Sequence, residues 1–253
     1  MSLRVDLGRA STVIEALMSR LWAIPDIHGE FDLLQNLWTK LLTEEALDLS
    51  TDKVIFLGDM IDRGPKSKEV LEFIHQLTLA HPQNIVALAG NHEWLAIDAH
   101  IKSDYEHKHL WYINGGEETL KSYGAVVAMP DDTIRWLAFL PLKHEEPGFF
   151  FSHAPVPRES FRKALYRGTM DFQPEELIWT YSPDERGVAR DHGSGVIGVS
   201  GHIHQLRKNI MAPRFYDNHY YLDSGCGCSK RAPLVAVEVK TKKVIYVYPQ
   251  NPT

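Results

Sequence analysis

Five short apolar runs in this chain each stop two or three residues before an oxygen or imidazole donor, and that recurrence limits its architecture more than any other feature. The runs are Leu21 to Ile24 before Asp26, Val54 to Leu57 before Asp59, Ile85 to Ala89 before Asn91, Phe149 to Phe151 before His153, and Val196 to Val199 before His202. Apolar runs of this length read as buried strands. In an open α/β sheet, the turns leaving the carboxyl ends of the strands converge on one crevice, so five such ends predict a single shared site. Between the first three runs the apolar spacing becomes helical: Phe31, Leu34, Leu37, Trp38 and Leu41 form one stripe, and Val70, Leu71, Ile74 and Leu77 another. The resulting β-α-β-α-β order predicts parallel pairing.

Further along, residues 94–145 read as mostly helical. Residues 155–192 are rich in Pro, Arg and Gly and read as long loops, which in compact domains are commonly functional. Both segments are expected to border the crevice. After residue 215 the runs Tyr220 to Leu222, Leu234 to Val239 and Val244 to Tyr248 are strand-like, the last two separated by a turn at Lys240 to Lys243, and a second sheet is their simplest home. Because the donors spread from residue 26 to residue 204, residues 20–250 are read as one catalytic domain behind an N-terminal extension of residues 1–19.

Composition excludes several partners. With 27 basic and 33 acidic side chains and a formal charge of -6, the 253-residue chain has no global basic field for long nucleic acid. No stretch approaches the ~18 uncharged apolar residues of a membrane span, and Arg4, Asp6, Arg9 and Glu15 interrupt the apolar runs a secretory signal would need. The two cysteines, Cys226 and Cys228, do not form the repeated pairs of a structural zinc site and read as reduced thiols, which places the chain in the cytoplasm.

Four of the thirteen histidines lie in the cassettes Asp26-Ile27-His28-Gly29, Gly90-Asn91-His92-Glu93 and Gly201-His202-Ile203-His204, which accompany Gly58-Asp59-Met60-Ile61-Asp62-Arg63-Gly64. His153 is a fifth. Asp26, His28, Asp59, Asn91, His153, His202 and His204 make a set of hard oxygen and imidazole donors that suits two divalent ions sharing a carboxylate. Asp59 is the natural bridge, since its two oxygens and its charge offset repulsion between cations ~3.5–4 Å apart. Each cassette alone also has a plain reading, Asp-x-His-Gly as a turn and Asn-His as a helix cap.

In this order and spacing the cassettes resemble the calcineurin-like metallophosphoesterase superfamily, and within it the phosphoprotein phosphatase branch. Trp111-Tyr112-Ile113-Asn114-Gly115-Gly116, Leu177-Ile178-Trp179 and Tyr221-Leu222-Asp223-Ser224-Gly225 are similar to the bacterial and phage lambda-type Ser/Thr phosphatases. The resemblance implies an α/β fold of four layers, two mixed β-sheets packed as a sandwich and flanked by helices. It also implies one ion on Asp26, His28, Asp59 and His204 and a second on Asp59, Asn91, His153 and His202, with manganese first and iron, zinc or nickel as alternatives. By the same resemblance, a hydroxide bridging the ions attacks a phosphomonoester in line, Arg63 and Asn91 bind the phosphate, and His92, oriented by Asp62, protonates the leaving group. The implied substrate is a phosphorylated protein or a small phosphomonoester.

Departures from the pattern are informative. Pro25 replaces a glycine before the first Asp. Tyr181 stands where the group commonly has an arginine, so Arg186 becomes the candidate for a second phosphate-binding guanidinium. His204 follows the broader superfamily's Gly-His-x-His, with a hydrogen-bonding role as the alternative to ligation. Two competing functions remain. A symmetrical diadenosine tetraphosphate hydrolase shares the metal motifs but often lacks the second Asp and carries Asn-His-Asp, whereas Asp62 and Glu93 are kept here. A non-catalytic scaffold would have no physical need for so many clustered donors.

Overall fold

The computed structural model describes residues 19–125, 128–181 and 195–250. Strand β1 (Leu21–Ile24) is buried along its whole length, and its side chains alternate between two cores. Leu21 and Ala23 enter one cluster, Trp22 and Ile24 the other. A strand buried on both faces needs a layer on each side, and this period-two division identifies them: a second sheet on one face, helices on the other.

Strand β1 pairs in parallel with β2 (Lys53–Phe56), and β2 with β3 (Ile85–Ala87). The crossovers are α1 (Phe31–Thr43) and α2 (Ser67–Ala80). Helix α1 buries Leu33, Leu34, Leu37, Trp38 and Leu41, the face required by 3.6-residue periodicity, while Asp32 in its first turn and Lys40 in its last complement the helix dipole. A helical segment follows, comprising α3 (Asn91–Lys102), α4 (Tyr105–Trp111), a π-helical turn over Tyr112–Gly116, α5 (Glu117–Ser122) and α6 (Asp131–Ala138).

The second sheet contains β4 (Lys143–Glu146), β5 (Phe149–Ser152), β6 (Ile197–Ser200), β7 (Arg214–Phe215) and β8 (His219–Tyr221), with β5, β6 and β8 parallel at its centre. Phe151, Val199 and Tyr220 face Ile55, Leu57, Val235 and Val237 across the sandwich. On the outer face, Phe150 packs with Phe161, Leu177 and Ile178 from α7 (Arg158–Arg167) and α8 (Pro174–Ile178). The order is therefore helices, sheet, sheet, helices.

Two expectations need correction. The strand-like runs after residue 215 do not share the second sheet. Only β8 joins it, whereas β9 (Leu234–Glu238) and β10 (Lys243–Val247) form a hairpin that returns to the first sheet, whose order is β10-β9-β1-β2-β3. Burial is the reason: Val235 and Val237 point into the sandwich, Leu234 and Ala236 toward α1, so β9 requires an interior slot beside β1. Residues 155–192 also hold two helices where long loops were expected, since Phe161 and Ala164 bury one face of α7 and Pro174 opens α8 at its first turn. The proposed extension lies outside the described residues except for Ser19, as does Arg186. Among the described residues no helix is long and apolar enough to cross a membrane.

Leu34 is fully buried in α1 and Leu42 is 45% exposed on the same helix. Leu34→Ala is expected to cost about 2–5 kcal/mol in denaturant unfolding, through lost burial and the cavity left behind. Leu42→Ala should stay within about 0.5 kcal/mol. Equal effects would mean that α1 does not face the core as described.

Candidate active site

The loops leaving the first sheet are tied to one another by backbone. Ile27 and His28 both donate to the Asp59 carbonyl (3.0 and 2.9 Å), and Gly29 donates to the Met60 carbonyl at 2.9 Å. The Glu93 carboxylate accepts from the amides of Gly90 (2.7 Å), Asp59 (2.8 Å) and Met60 (2.8 Å), joining the loop after β2 to the start of α3. Space is scarce there. A Cβ on Gly90 would lie 2.2 Å from Asp59 Oδ1, and one on Gly58 2.4 Å from the Gly90 nitrogen, which is why both cassettes carry glycine before the donor. Another close approach comes from the loop after β8, where a Cβ on Gly227 would lie 2.3 Å from His28 Cβ.

The side chains at these turns adopt left-handed backbone: φ is 47° at His28, 51° at Asp59, 70° at Asp62, 68° at Arg63 and 62° at His202. Non-glycine residues pay for this conformation, and such strain concentrates at functional sites. The result is convergence on Asp59. Its Oδ2 lies 3.6 Å from His28 Nε2 and its Oδ1 3.4 Å from His153 Nε2. His28 Nδ1 donates to the Ile61 carbonyl and His153 Nδ1 to the Leu57 carbonyl, both at 2.9 Å, so each Nε2 lone pair is turned toward the carboxylate.

Asn91 Oδ1 is 2.8 Å from His153 Nε2. With Asp59 Oδ1 this brings three potential acceptor atoms together, an arrangement that a cation stabilises. Asp26 accepts from the His202 amide (2.9 Å), and its Oδ2 lies 3.8 Å from His28 Nε2. His202 Nε2 is buried without a hydrogen-bond partner among the described residues, as a lone pair reserved for a ligand would be. Two clusters have ligand atoms close enough for one ion each, His28–Asp59–His92 and Asp59–His153–His202, and Asp59 belongs to both. His204 is in neither, but it lines the same cavity of about 130 Å³ with Asp26, Asp59, Arg63, Asn91 and His202. The donor set fits divalent cations.

Electrostatics agree with that fit. Burial, reinforced by Asp26 and Glu93, holds the Asp59 carboxyl well above the usual range, and burial raises Glu93 as well. Burial lowers His28 and His153 and brings His202 down to about 2, with His153 as the next contributor. The imidazoles are therefore neutral, as metal ligands must be. Arg63 offsets only part of the effect of burial at Asp59.

At the edge of the cluster, His92 Nδ1 donates to Asp62 Oδ2 at 2.7 Å. Asp62 is itself held by Trp111 Nε1 (3.0 Å to each oxygen) and Thr119 Oγ1 (2.7 Å). Arg63 places Nη1 2.7 Å from His28 Nε2 and Nη2 2.9 Å from His92 Nε2, and Nη1 also reaches Cys228 Sγ at 2.7 Å. Burial pushes the Cys228 thiol up to about 12 and holds the Cys226 thiol well above the ordinary range. These are poor conditions for a reactive thiolate.

Seven residues expected as ligands, together with Asp62, Arg63 and His92, thus surround one crevice, while Arg186 falls outside the described residues. Sequence reading did not foresee Glu93 as the clamp on two loops or Trp111 and Thr119 as the anchors of Asp62. In the sequence Trp111 stands only as the first residue of the stretch that ends in Gly115-Gly116. Its Gly115-Gly116 neighbours were the available signal, because Gly115 approaches Arg63 so closely that a Cβ would lie 2.7 Å from the Arg63 nitrogen.

The family model for calcineurin-like phosphoesterases matches residues 19–206. The chain is 36% identical over 215 residues to Serine/threonine-protein phosphatase 1 of Salmonella typhimurium, covering 81% of this chain and 86% of that one. It is 31% identical over 144 residues to a symmetrical bis(5'-nucleosyl)-tetraphosphatase of Nitrosococcus oceani, covering 54% of this chain and 44% of that one. A protein serine/threonine phosphatase structure from Saccharomyces cerevisiae superposes with a TM-score of 0.60 at 18% identity, over 93% of this chain and 81% of that one, a likeness of fold alone.

The depressed His202 makes a prediction for metal-stripped protein. The unfolded imidazole takes up a proton below about pH 6.5, and the native one does not until about 2. Its contribution to stability is thus complete above pH 6.5 and is lost as pH falls, by up to about 1.4 kcal/mol per pH unit. His202→Gln should flatten the pH dependence of unfolding free energy between about pH 6 and 4.5 by up to that slope. Identical slopes in wild type and variant would show that water reaches the imidazole.

Proposed function

Because the chain belongs to the calcineurin-like phosphoesterase family, we propose that it acts as a Ser/Thr protein phosphatase on phosphomonoesters, with two divalent ions at the Asp59 cluster. The observation that carries this reading is the His92–Asp62 pair, 2.7 Å apart, beside the Arg63 guanidinium at the rim of the carboxylate–imidazole cluster. A phosphomonoester needs a proton for its leaving oxygen and a cation for its phosphoryl oxygens. The rim supplies both.

Asp26, His28, Asp59 and His204 would hold one ion, and Asp59, Asn91, His153 and His202 the other. Manganese is the first choice for this mixture of hard oxygen and imidazole donors, with iron, zinc or nickel as alternatives. When bound, the two ions supply Lewis-acid chemistry, polarising the phosphoryl group and acidifying water. The protein's own groups do the rest. Arg63 binds phosphate oxygens through its planar fork of donors, aided by Asn91. His92 delivers the leaving-group proton from Nε2, because Asp62 fixes Nδ1 as a donor and stabilises the imidazolium. Trp111 and Thr119 keep Asp62 in place. Residues 20–250 are read as one catalytic domain because donors spread from residue 26 to residue 204 meet at one cavity, and the two free thiols support a cytoplasmic setting.

Diadenosine tetraphosphate is the second substrate to test, on the strength of the partial relationship to the Nitrosococcus oceani enzyme. Asp62 and Glu93 favour the phosphomonoester. A phosphoserine peptide should be turned over faster than diadenosine tetraphosphate, and the reverse order would replace the leading reading by the second.

Chelation is expected to abolish hydrolysis and manganese to restore it. Asp59→Asn should reduce turnover more than His204→Ala, since Asp59 serves both ions. Undiminished hydrolysis by fully metal-free protein ends this reading.

The role of His92 depends on the leaving group. A serine alkoxide leaves poorly without a proton, and an activated aryl oxide leaves well. His92→Asn should lower turnover of a phosphoserine peptide by roughly 10²–10⁴-fold and of para-nitrophenyl phosphate far less, with Asp62→Asn following the same order more weakly. Equal losses on both substrates would reject proton donation and assign His92 to positioning.

A further inference from the structure

His204 comes to the site differently from the other expected imidazole ligands. His28, His153 and His202 belong to clusters whose ligand atoms already lie within reach of one ion, whereas His204 belongs to neither cluster and only lines their cavity. It stands in the turn that follows β6. What holds this turn decides where the imidazole can go.

As far as His202 the chain is tied to other members of the donor set. The Gly201 amide donates to the His153 carbonyl at 3.0 Å, and the His202 amide to Asp26 Oδ1 at 2.9 Å. The Ile203 amide then donates to the Gly201 carbonyl at 2.7 Å, closing a tight turn over His202 with its φ of 62°. Beyond that point the tie comes from elsewhere: Arg214 Nη2 donates to the Ile203 carbonyl at 2.5 Å. This carbonyl and the His204 amide lie in one peptide plane, so the guanidinium fixes the plane from which the His204 side chain departs.

The register of the second sheet explains how Arg214 reaches the turn. Ser200 on β6 pairs with Tyr221 on β8, and Tyr221 with Arg214 on β7, so the three residues form a row across the sheet. Arg214 spans Tyr221 to reach the turn beyond Ser200, and its Cζ lies over the Tyr221 ring at 5.1 Å from the centroid. Tyr221 is fully buried and gives the guanidinium a fixed platform. A planar guanidinium can rest on a ring while its edge donates, and an ammonium has no plane with which to do both.

The charge of Arg214 also reaches the site. Burial, with Asp26 next, holds the Asp223 carboxyl well above its usual range, and Arg63 and Arg214 act against this. On charge alone, such a group would weaken the binding of a further cation. Charge and position therefore predict opposite results when Arg214 is removed.

Resting on the two-ion reading above, we propose that Arg214 is a positioning residue for His204, holding the Ile203–His204 peptide so that the imidazole completes the ligand set of one ion. Groups that orient a metal ligand from outside are worth roughly 10- to 100-fold in metal affinity. The effect falls on one ion of the two, because His202 is tied to Asp26 without the help of Arg214.

The test starts from manganese-loaded protein and follows the Mn2+ released to graded chelator by its electron paramagnetic resonance signal. It compares wild type, Arg214→Met, Arg214→Lys, His204→Ala and the double variant of Arg214→Met with His204→Ala. Methionine keeps an apolar stem against Tyr221 and has no donor. Arg214→Met is expected to weaken one ion by roughly 10- to 100-fold and to leave the other near its wild-type affinity. Arg214→Lys should act in the same direction by a smaller factor, and it carries the test if Arg214→Met does not fold. In the double variant Arg214→Met should add nothing to the loss caused by His204→Ala, because it acts only through that imidazole. Wild-type release from the Arg214 variants overturns the proposal. Tighter binding in Arg214→Met overturns it in favour of charge repulsion, and additive losses in the double variant overturn it by assigning Arg214 to the sheet as a whole. Wild type that holds fewer than two manganese ions would remove the two-ion reading, and the proposal with it.

Discussion

The Glu93 carboxylate is the interaction on which the rest of the site depends. It spends its two oxygens on three backbone amides, those of Gly90, Asp59 and Met60. All three belong to turns where strand hydrogen bonding has ended and helix hydrogen bonding has not begun, so the protein must find acceptors for them elsewhere. Each buried donor left without one costs about 1–3 kcal/mol. A charged acceptor at the first turn of α3 meets this need and complements the helix dipole. Because two turns share the acceptor, the bridge carboxylate of Asp59 is located relative to Asn91 and His92, and the whole donor set inherits that location.

Such a site is held under tension. His28, Asp59, Asp62, Arg63 and His202 occupy left-handed backbone that ordinary side chains avoid, and the carboxyls of Asp59 and Glu93 are buried close together. The four-layer frame sustains both costs. Strands buried on both faces fix the points at which the turns begin, so the energy of forming the sandwich and the helix-covered face is available to hold the turns in an unfavourable shape. The same buried imidazoles that resist protonation are then left as neutral donors.

Much of this was legible in the amino-acid sequence, for identifiable reasons. Runs such as Leu21 to Ile24 and Phe149 to Phe151 stand out because a strand covered on both sides has no polar residues, and each donor follows at a fixed short distance. The destination of Leu234 to Val239 was not legible: an apolar run states that a strand is buried, not which sheet buries it. Helix α7 was obscured by its polarity, with Phe161 and Ala164 as its buried face between charged neighbours. The work of Glu93, Trp111 and Thr119 was hidden more deeply. Their partners are single backbone or carboxylate atoms, and no residue spacing encodes a hydrogen bond across a fold.

The β9–β10 hairpin bears on how the molecule comes into being. Strand β1 pairs with β9 through Trp22 opposite Glu238, a contact between segments separated by most of the chain. On a ribosome, β1 emerges early and must wait for β9 with one edge unsatisfied, in the condition that invites pairing with a neighbouring nascent chain. Gly227, whose loop presses on His28, arrives equally late. Synthesis therefore leaves a long interval in which the donors exist and the wall behind them does not, and the competence of the site becomes a report that β9 and the Gly227 loop have arrived and closed against β1.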